Sequence, residues 1–447
     1  MRALLLCCTV TGLLLGVPKK VWLQAPPSPV LSLDDAVALA MKGNRQVQSA
    51  ELDVARAHET QSVVKTQNFP QLSLYFLGGE SLRSIDFTIP QGIFGTYPGT
   101  GPIPRQTSKI STPPSFNEFI VGQAAQPISQ LWKIHLASLD SRITADLARE
   151  ALWQQRQDTA YPVRDLYHQI AQTQTQVESA EANLKYLLDL QQETDRNLAE
   201  QTALKSDSLV VKAKVSQQRL MLLTLHDTLA SQKEAMNRNL GRDLSTEFSV
   251  EAEPALTDTE IDLQAARQEA LKQRPEIRQA RLQTKKATVQ VRRQRAEYLP
   301  DFSANFTYFS VPNVSFLPQN VMSAGFLLQW QPLDWGQKYH KIEALKDSVK
   351  QASLTEADAE QRVVLDVNTK FRKLAEARAS LDTSAVAQEA EREKLRVVTN
   401  RYSQKAALLS EVLQEDAAVA QVEADFQKAL ADFWSAKASF EHALGRD

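Results

Sequence analysis

A chain of 447 residues is long enough for two or three ordinary domains, yet 14 glycines and 7% aromatic residues suit long helices better than compact globular units. Its net charge of −2 excludes a general electrostatic attraction to nucleic acid. Its only cysteines, Cys7 and Cys8, lie near the start, so the rest of the chain holds neither a disulfide nor a thiolate centre.

The chain opens with Arg2 and the almost wholly apolar run Ala3–Val17, which predicts an export signal over residues 1–25. The run is too short for a confident membrane span. Beyond it the sequence is duplicated. Leu31–Phe76 lies over Ile261–Phe306 with matches including Leu33/Leu263, Ala36/Ala266, Ala40/Ala270, Pro70/Pro300 and Phe76/Phe306. Each copy begins as an amphipathic helix, the first with Ser32, Asp34 and Asp35 as a capped, acidic start. Each runs toward a proline that cannot continue it.

After each proline the period falls to two. Leu72, Leu74 and Phe76 alternate with Gln71, Ser73 and Tyr75; Phe302, Ala304, Phe306 and Tyr308 alternate with Ser303, Asn305 and Thr307. Strands are predicted at about 69–78 and 117–127 in the first copy, and at about 300–309 and 321–331 in the second. The stretch Leu77–Ser115, rich in Gly, Pro, Ser and Thr, reads as a long loop. Both second strands end in Gln-Pro-aliphatic, at Gln126-Pro127-Ile128 and Gln331-Pro332-Leu333.

Long helical hairpins follow, at about 133–241 and 338–445. Each has a narrow apolar seam, and Pro162 is a candidate kink in the first. Midway through each comes the pattern Ala-Leu-x-Ser-acid-x-Leu, at Ala203–Leu209 and Ala407–Leu413, read as the tip where the chain turns back. Each hairpin closes on Leu-Gly-Arg-Asp, at Leu240–Asp243 and Leu444–Asp447. The first repeat thus covers 31–243, a linker 244–260, and the second repeat 261–447.

The fold class is mainly α with a small β part, a duplicated helix–strand–strand–long helical hairpin. Four strands with one apolar face cannot close a barrel, and an open edge cannot sit in lipid. Pooling strands from several copies resolves both problems, and the export signal favours it.

In this order the elements resemble the TolC-type outer-membrane channels, the outer-membrane efflux proteins of Gram-negative bacteria. The resemblance covers essentially Leu31–Gly445. It rests on the twin helix-to-Pro-x-x-Ser blocks, the Gln-Pro-aliphatic strand ends, and Arg401-Tyr402 leading to Leu413 and Gly445. It implies a homotrimer, with a 12-stranded β-barrel (four strands per chain) in the outer-membrane lipid and an α-helical barrel reaching through the periplasm. It also implies a periplasmic adaptor and an inner-membrane pump as partners, in efflux or type I secretion. By the same resemblance the gate candidates are Glu411, Glu415 and Asp207. Glu411 matches the first of two family acids, whereas the second position is Gln414, with Glu415 beside it. Three copies of Glu411 would make a carboxylate ring in the pore; exposed helix caps are the competing account of the same acids. Lys405 stands where the family often has glycine. The docking candidates at the tips are Ala203, Leu204, Ser206, Ala407, Leu408 and Ser410.

The six histidines have no metal-ligand spacing, and no nucleophile elbow or phosphate loop occurs; neither cofactor, metal nor enzyme activity is expected. Arg292-Arg293-Gln294-Arg295 reads as a solvated helix face rather than a nucleic-acid site. Trp132, Trp330 and Trp335 read either as interfacial aromatics or as packing at the barrel–helix junction. The rival architecture, a periplasmic adaptor or coiled-coil scaffold, requires a contiguous β-rich domain flanking a single hairpin.

Overall fold

The computed structural model describes residues 29–201, 204–251, 262–311, 318–404 and 406–446. The expected export segment, Ala203, Lys405 and part of the expected linker lie outside them.

Ser32 caps α1 (Leu33–Gly43), its hydroxyl accepting from the Asp35 amide. The amphipathic helix expected to run on to Pro70 is two helices, because the chain breaks at Asn44. Asn44 is the C-cap of α1, and its side chain accepts from Gln46 and Val47 to start α2 (Arg45–Thr66). The second copy breaks at the same place, between α5 (Leu263–Gln273) and α6 (Pro275–Ala296), where Pro275 sits at the helix start. The long rods are α3 (Leu131–Ala199) and α7 (Gln337–Ser403), of 69 and 67 residues, each about 100 Å long. Pro162 lies inside α3 without ending it. The returning arms α4 (Lys205–Leu240) and α8 (Leu409–Leu444) each close on a left-handed glycine, Gly241 and Gly445.

The copies bury equivalent seams where the returning arms meet α1 and α5. Ala36, Ala40, Val163, Tyr167, Met236 and Leu240 form one core, and Ala266, Ala270, Val367, Phe440 and Leu444, flanked by Phe371, form the other. The buried Gln157 side chain donates to the Gly445 carbonyl at 2.7 Å, tying one repeat to the other. The expected linker is not featureless. Phe248 is buried beneath the Arg242 guanidinium, and β8 (Ser249–Val250) pairs in parallel with β1 (Val30–Leu31).

The strands of both repeats join one antiparallel sheet, ordered β10 (Asn320–Gln329), β9 (Asp301–Ser310), β7 (Phe116–Pro127), β2 (Gln71–Glu80). This arrangement is not the contiguous domain beside one hairpin that the adaptor reading requires. By register, one face carries Leu72, Leu74 and Phe76, then Ile120 and Ala124, then Phe302 and Phe306, then Phe326 and Leu328. The opposite face carries Gln71, Ser73, Gln123, Ser303, Asn305, Ser323 and Gln329 along its first half. Among the described residues, β2 and β10 are paired on one side only.

Leu77–Ser115, expected to be a loop, is largely an extended hairpin. Beyond the end of β2, β3 (Ile85–Ile89) pairs with β6 (Ser108–Thr112), and β4 (Thr96–Tyr97) with β5 (Gly101–Pro102). Its Gly, Pro and Ser content marks the turns but hides the short strands between them.

Candidate channel gate and docking tips

The two hairpin tips share one geometry. Leu204 and Leu408 are extended N-caps of α4 and α8, and each carbonyl accepts from the amides three and four residues on. Ser206 and Ser410, read from sequence as helix starts, instead lie inside the first turn. Leucine offers no capping oxygen, and among the described residues only in the second hairpin does the first-turn acid reach a backbone amide. The Glu411 carboxylate accepts from the Leu408 amide at 3.4 Å, where the helix dipole favours an anion. Asp207 occupies the equivalent place and accepts from the Ser206 hydroxyl at 3.4 Å. Leu204 and Leu408 are 69% and 67% exposed, an apolar pair at the very ends of the hairpins. Ser206 and Ser410 are exposed and Ala407 half-buried.

Below the tips the repeats diverge. In the first hairpin the buried Ser208 hydroxyl donates to Asp195 at 2.7 Å, and Lys212 pairs with the same carboxylate at 3.1 Å. The Ser208 bond, then Lys212, hold the Asp195 carboxyl below its ordinary range. In the second hairpin the equivalent of Ser208 is Val412, buried beside Leu413. Glu415 stands where the first hairpin buries Val211; the Lys394 ammonium on α7 is raised first by its bond to Glu391 and least by Glu415. Asp416 stands where the first hairpin has Lys212. It lines a groove of about 380 Å³ between the hairpins with Asn183, Tyr186, Gln218 and Met221. Burial pushes the Asp416 carboxyl up, opposed by Lys214. Burial, then Asp416, raise the Tyr186 phenol.

Sequence reasoning missed Asp416. The available signal was the charge reversal between Lys212 and Asp416 at equivalent places of a duplicated seam. No helix of the described residues is long and apolar enough to cross a membrane. Among the described residues no three metal-ligating side chains come together.

Residues 266–446 match the sequence profile of the family described as outer membrane efflux protein. No curated protein sequence matches the chain significantly. Among solved structures the fold is similar to the outer membrane protein VceC of Vibrio cholerae, with 15% identity, 93% of this chain and 96% of that chain covered, and a TM-score of 0.72. It is similar to the CmeC outer membrane channel of Campylobacter jejuni, with 12% identity, 96% and 93% covered, and a TM-score of 0.75. It is also similar to the open state of the MtrE outer membrane channel of Neisseria gonorrhoeae, with 16% identity, 93% and 89% covered, and a TM-score of 0.69.

A four-stranded sheet with one apolar face, merged from two repeats and mounted on two helical hairpins, belongs to the same fold as these outer-membrane channels. The second repeat, over residues 266–446, matches the outer membrane efflux protein family, and the whole chain shares its fold with outer-membrane channels.

Proposed function

We propose that three copies of this chain assemble into a passive conduit, with a 12-stranded barrel above a helical tube. The carrying observation is the sheet itself, whose outer strands β2 and β10 are, among the described residues, paired on one side only and whose one face is apolar. An unpaired backbone edge in lipid costs several kcal/mol per group, so copies joining β10 to β2 remove both edges of this four-stranded sheet. The helices support the same ring: α2 packs on α3, α3 on α6 and α6 on α7, leaving α2 and α7 at the two flanks.

The tips are the periplasmic end. Leu204 and Leu408, with Ser206, Ala407 and Ser410, offer small and apolar groups to a periplasmic adaptor, which links the channel to an inner-membrane pump. Ala203 belongs to the same proposed patch by sequence. Glu411 is the gate acid, drawn by three-fold symmetry into a carboxylate ring that favours cations while each copy caps its own helix. Asp207 is a secondary gate candidate. Glu415, four residues on from Glu411, is a further gate candidate.

The test is size and conductance of the detergent-solubilised protein from outer-membrane fractions. A three-chain assembly forming discrete channels in a planar bilayer is expected. A soluble monomer with no channel activity overturns the reading.

A further inference from the structure

We propose that the foot of the second repeat holds an anionic phospholipid headgroup of the periplasmic leaflet, through Arg292 and Arg295 set below Tyr298 and Trp330. The proposal rests on the reading that the apolar sheet face lies in the membrane.

The order of side chains along the molecule is the order of a lipid. α6 ends at the sheet and the chain continues into it as β9, so Arg292, Arg295, Tyr298 and Phe302 follow one another along the chain from helix to sheet. Arg292 and Arg295 are three residues apart on α6 and therefore share a face. Both are exposed, and among the described residues neither guanidinium has a hydrogen-bond or ion-pair partner. Arg293, between them, differs: it is committed to Asp140 at 3.2 Å. α6 has α3 on one side and α7 on the other, so its free cations are not at the flanks where copies meet.

Just above, the Trp330 indole donates to the Tyr298 carbonyl at 3.3 Å, and the Lys338 ammonium lies 5.7 Å over the Tyr298 ring. Trp330 continues the alternation of Met322, Ala324, Phe326 and Leu328 and so extends the apolar face. Trp330, Leu333 and Trp335 are 58%, 66% and 89% exposed. Trp335 also holds a left-handed backbone, φ 55°, an uncommon conformation for a bulky residue. A soluble surface gains nothing from that much uncovered aromatic area, whereas a bilayer interface does. Aliphatic and Phe side chains above, Trp and Tyr at the boundary and unpaired guanidinium below match acyl chain, glycerol region and phosphate. The repeat sharpens the assignment. In the first copy Ser62, Lys65 and Asn68 stand where Arg292, Arg295 and Tyr298 stand in the second, so the first copy keeps one cation of the pair and lacks the aromatic ring above it.

The experiment uses the intact detergent-solubilised assembly and native mass spectrometry, with phosphatidylglycerol and phosphatidylcholine of identical acyl chains as probes. The wild type should retain phosphatidylglycerol preferentially, by about fivefold per arginine. Arg292→Gln/Arg295→Gln should hold both lipids equally while keeping its oligomeric state and conductance. Trp335→Ala should weaken both lipids without removing the preference. Glycerol 3-phosphate alone should not displace the lipid. Equal retention of the two lipids by the wild type, an unchanged preference in the double variant, or displacement by glycerol 3-phosphate overturns the proposal while leaving the channel intact. A wild-type protein that forms no channels brings down both readings.

Discussion

At the residue scale, the duplication shows in which side chains were kept and which were exchanged. Gly241 has φ 71°, and a Cβ there would stand 1.9 Å from the Gly43 carbonyl oxygen; a Cβ on Gly43 would meet the Leu240 oxygen at 2.1 Å. The repeated Leu-Gly-Arg-Asp therefore marks a backbone-to-backbone approach in the first copy as well as a helix stop. Gly241→Ala should cost about 1–3 kcal/mol from the backbone conformation alone, with the clash added. Gly79→Ala, where a Cβ meets nothing within 4 Å, should be nearly neutral in the same thermal unfolding series. Asp416 gives a pH prediction. Its carboxyl is raised by burial, so its stabilising contribution is full below the ordinary value of 3.8 and is lost as pH rises through the raised one. Asp416→Asn should remove that dependence and raise stability at neutral pH. Subtracting the variant's pH–stability curve from the wild type's isolates the effect; superimposable curves would show Asp416 to be solvated. Glu269 has the opposite sign. Its bond to Arg446 holds the carboxyl low, and that exposed pair contributes at most about 1 kcal/mol, lost as pH falls through the lowered value.

At the scale of elements, long periodic segments were legible and their interruptions were not. Breaker-free stretches and an apolar seam marked both hairpins, and alternation marked β2 and β9, because each signal repeats over many residues. The break at Asn44 rests on one side chain that caps two amides, and only Gly43-Asn44 and Arg274-Pro275 hinted at it. The pairing of β1 with β8 was invisible, since two-residue strands carry no period and bring together segments over two hundred residues apart. The tip pattern was legible, but its caps fall on Leu204 and Leu408, which no capping preference would select. These leucines carry the element-scale predictions. Leu204→Ser/Leu408→Ser should leave assembly and conductance intact and reduce export in cells, measured as drug accumulation; unchanged export would remove the tips from docking. Glu411→Gln should lower cation preference in single-channel recordings, whereas an effect on helix stability alone would leave only the capping role.

At the scale of the whole molecule, the central claim is that β10 of one copy pairs with β2 of the next. Within one chain these strands lie at opposite edges of the sheet, three strand spacings or roughly 14 Å apart, too far for a disulfide. The most direct measurement is a cysteine scan of Gln71, Ser73 and Tyr75 on β2 against Ser323, Leu327 and Gln329 on β10, all on the face away from the apolar one, with Cys7 and Cys8 replaced. After mild oxidation of outer-membrane fractions, the account predicts covalent dimers and trimers and nothing larger, for pairs in one register. A link formed within a single chain, or β2–β10 pairs that never cross-link while the protein remains monomeric, would contradict it.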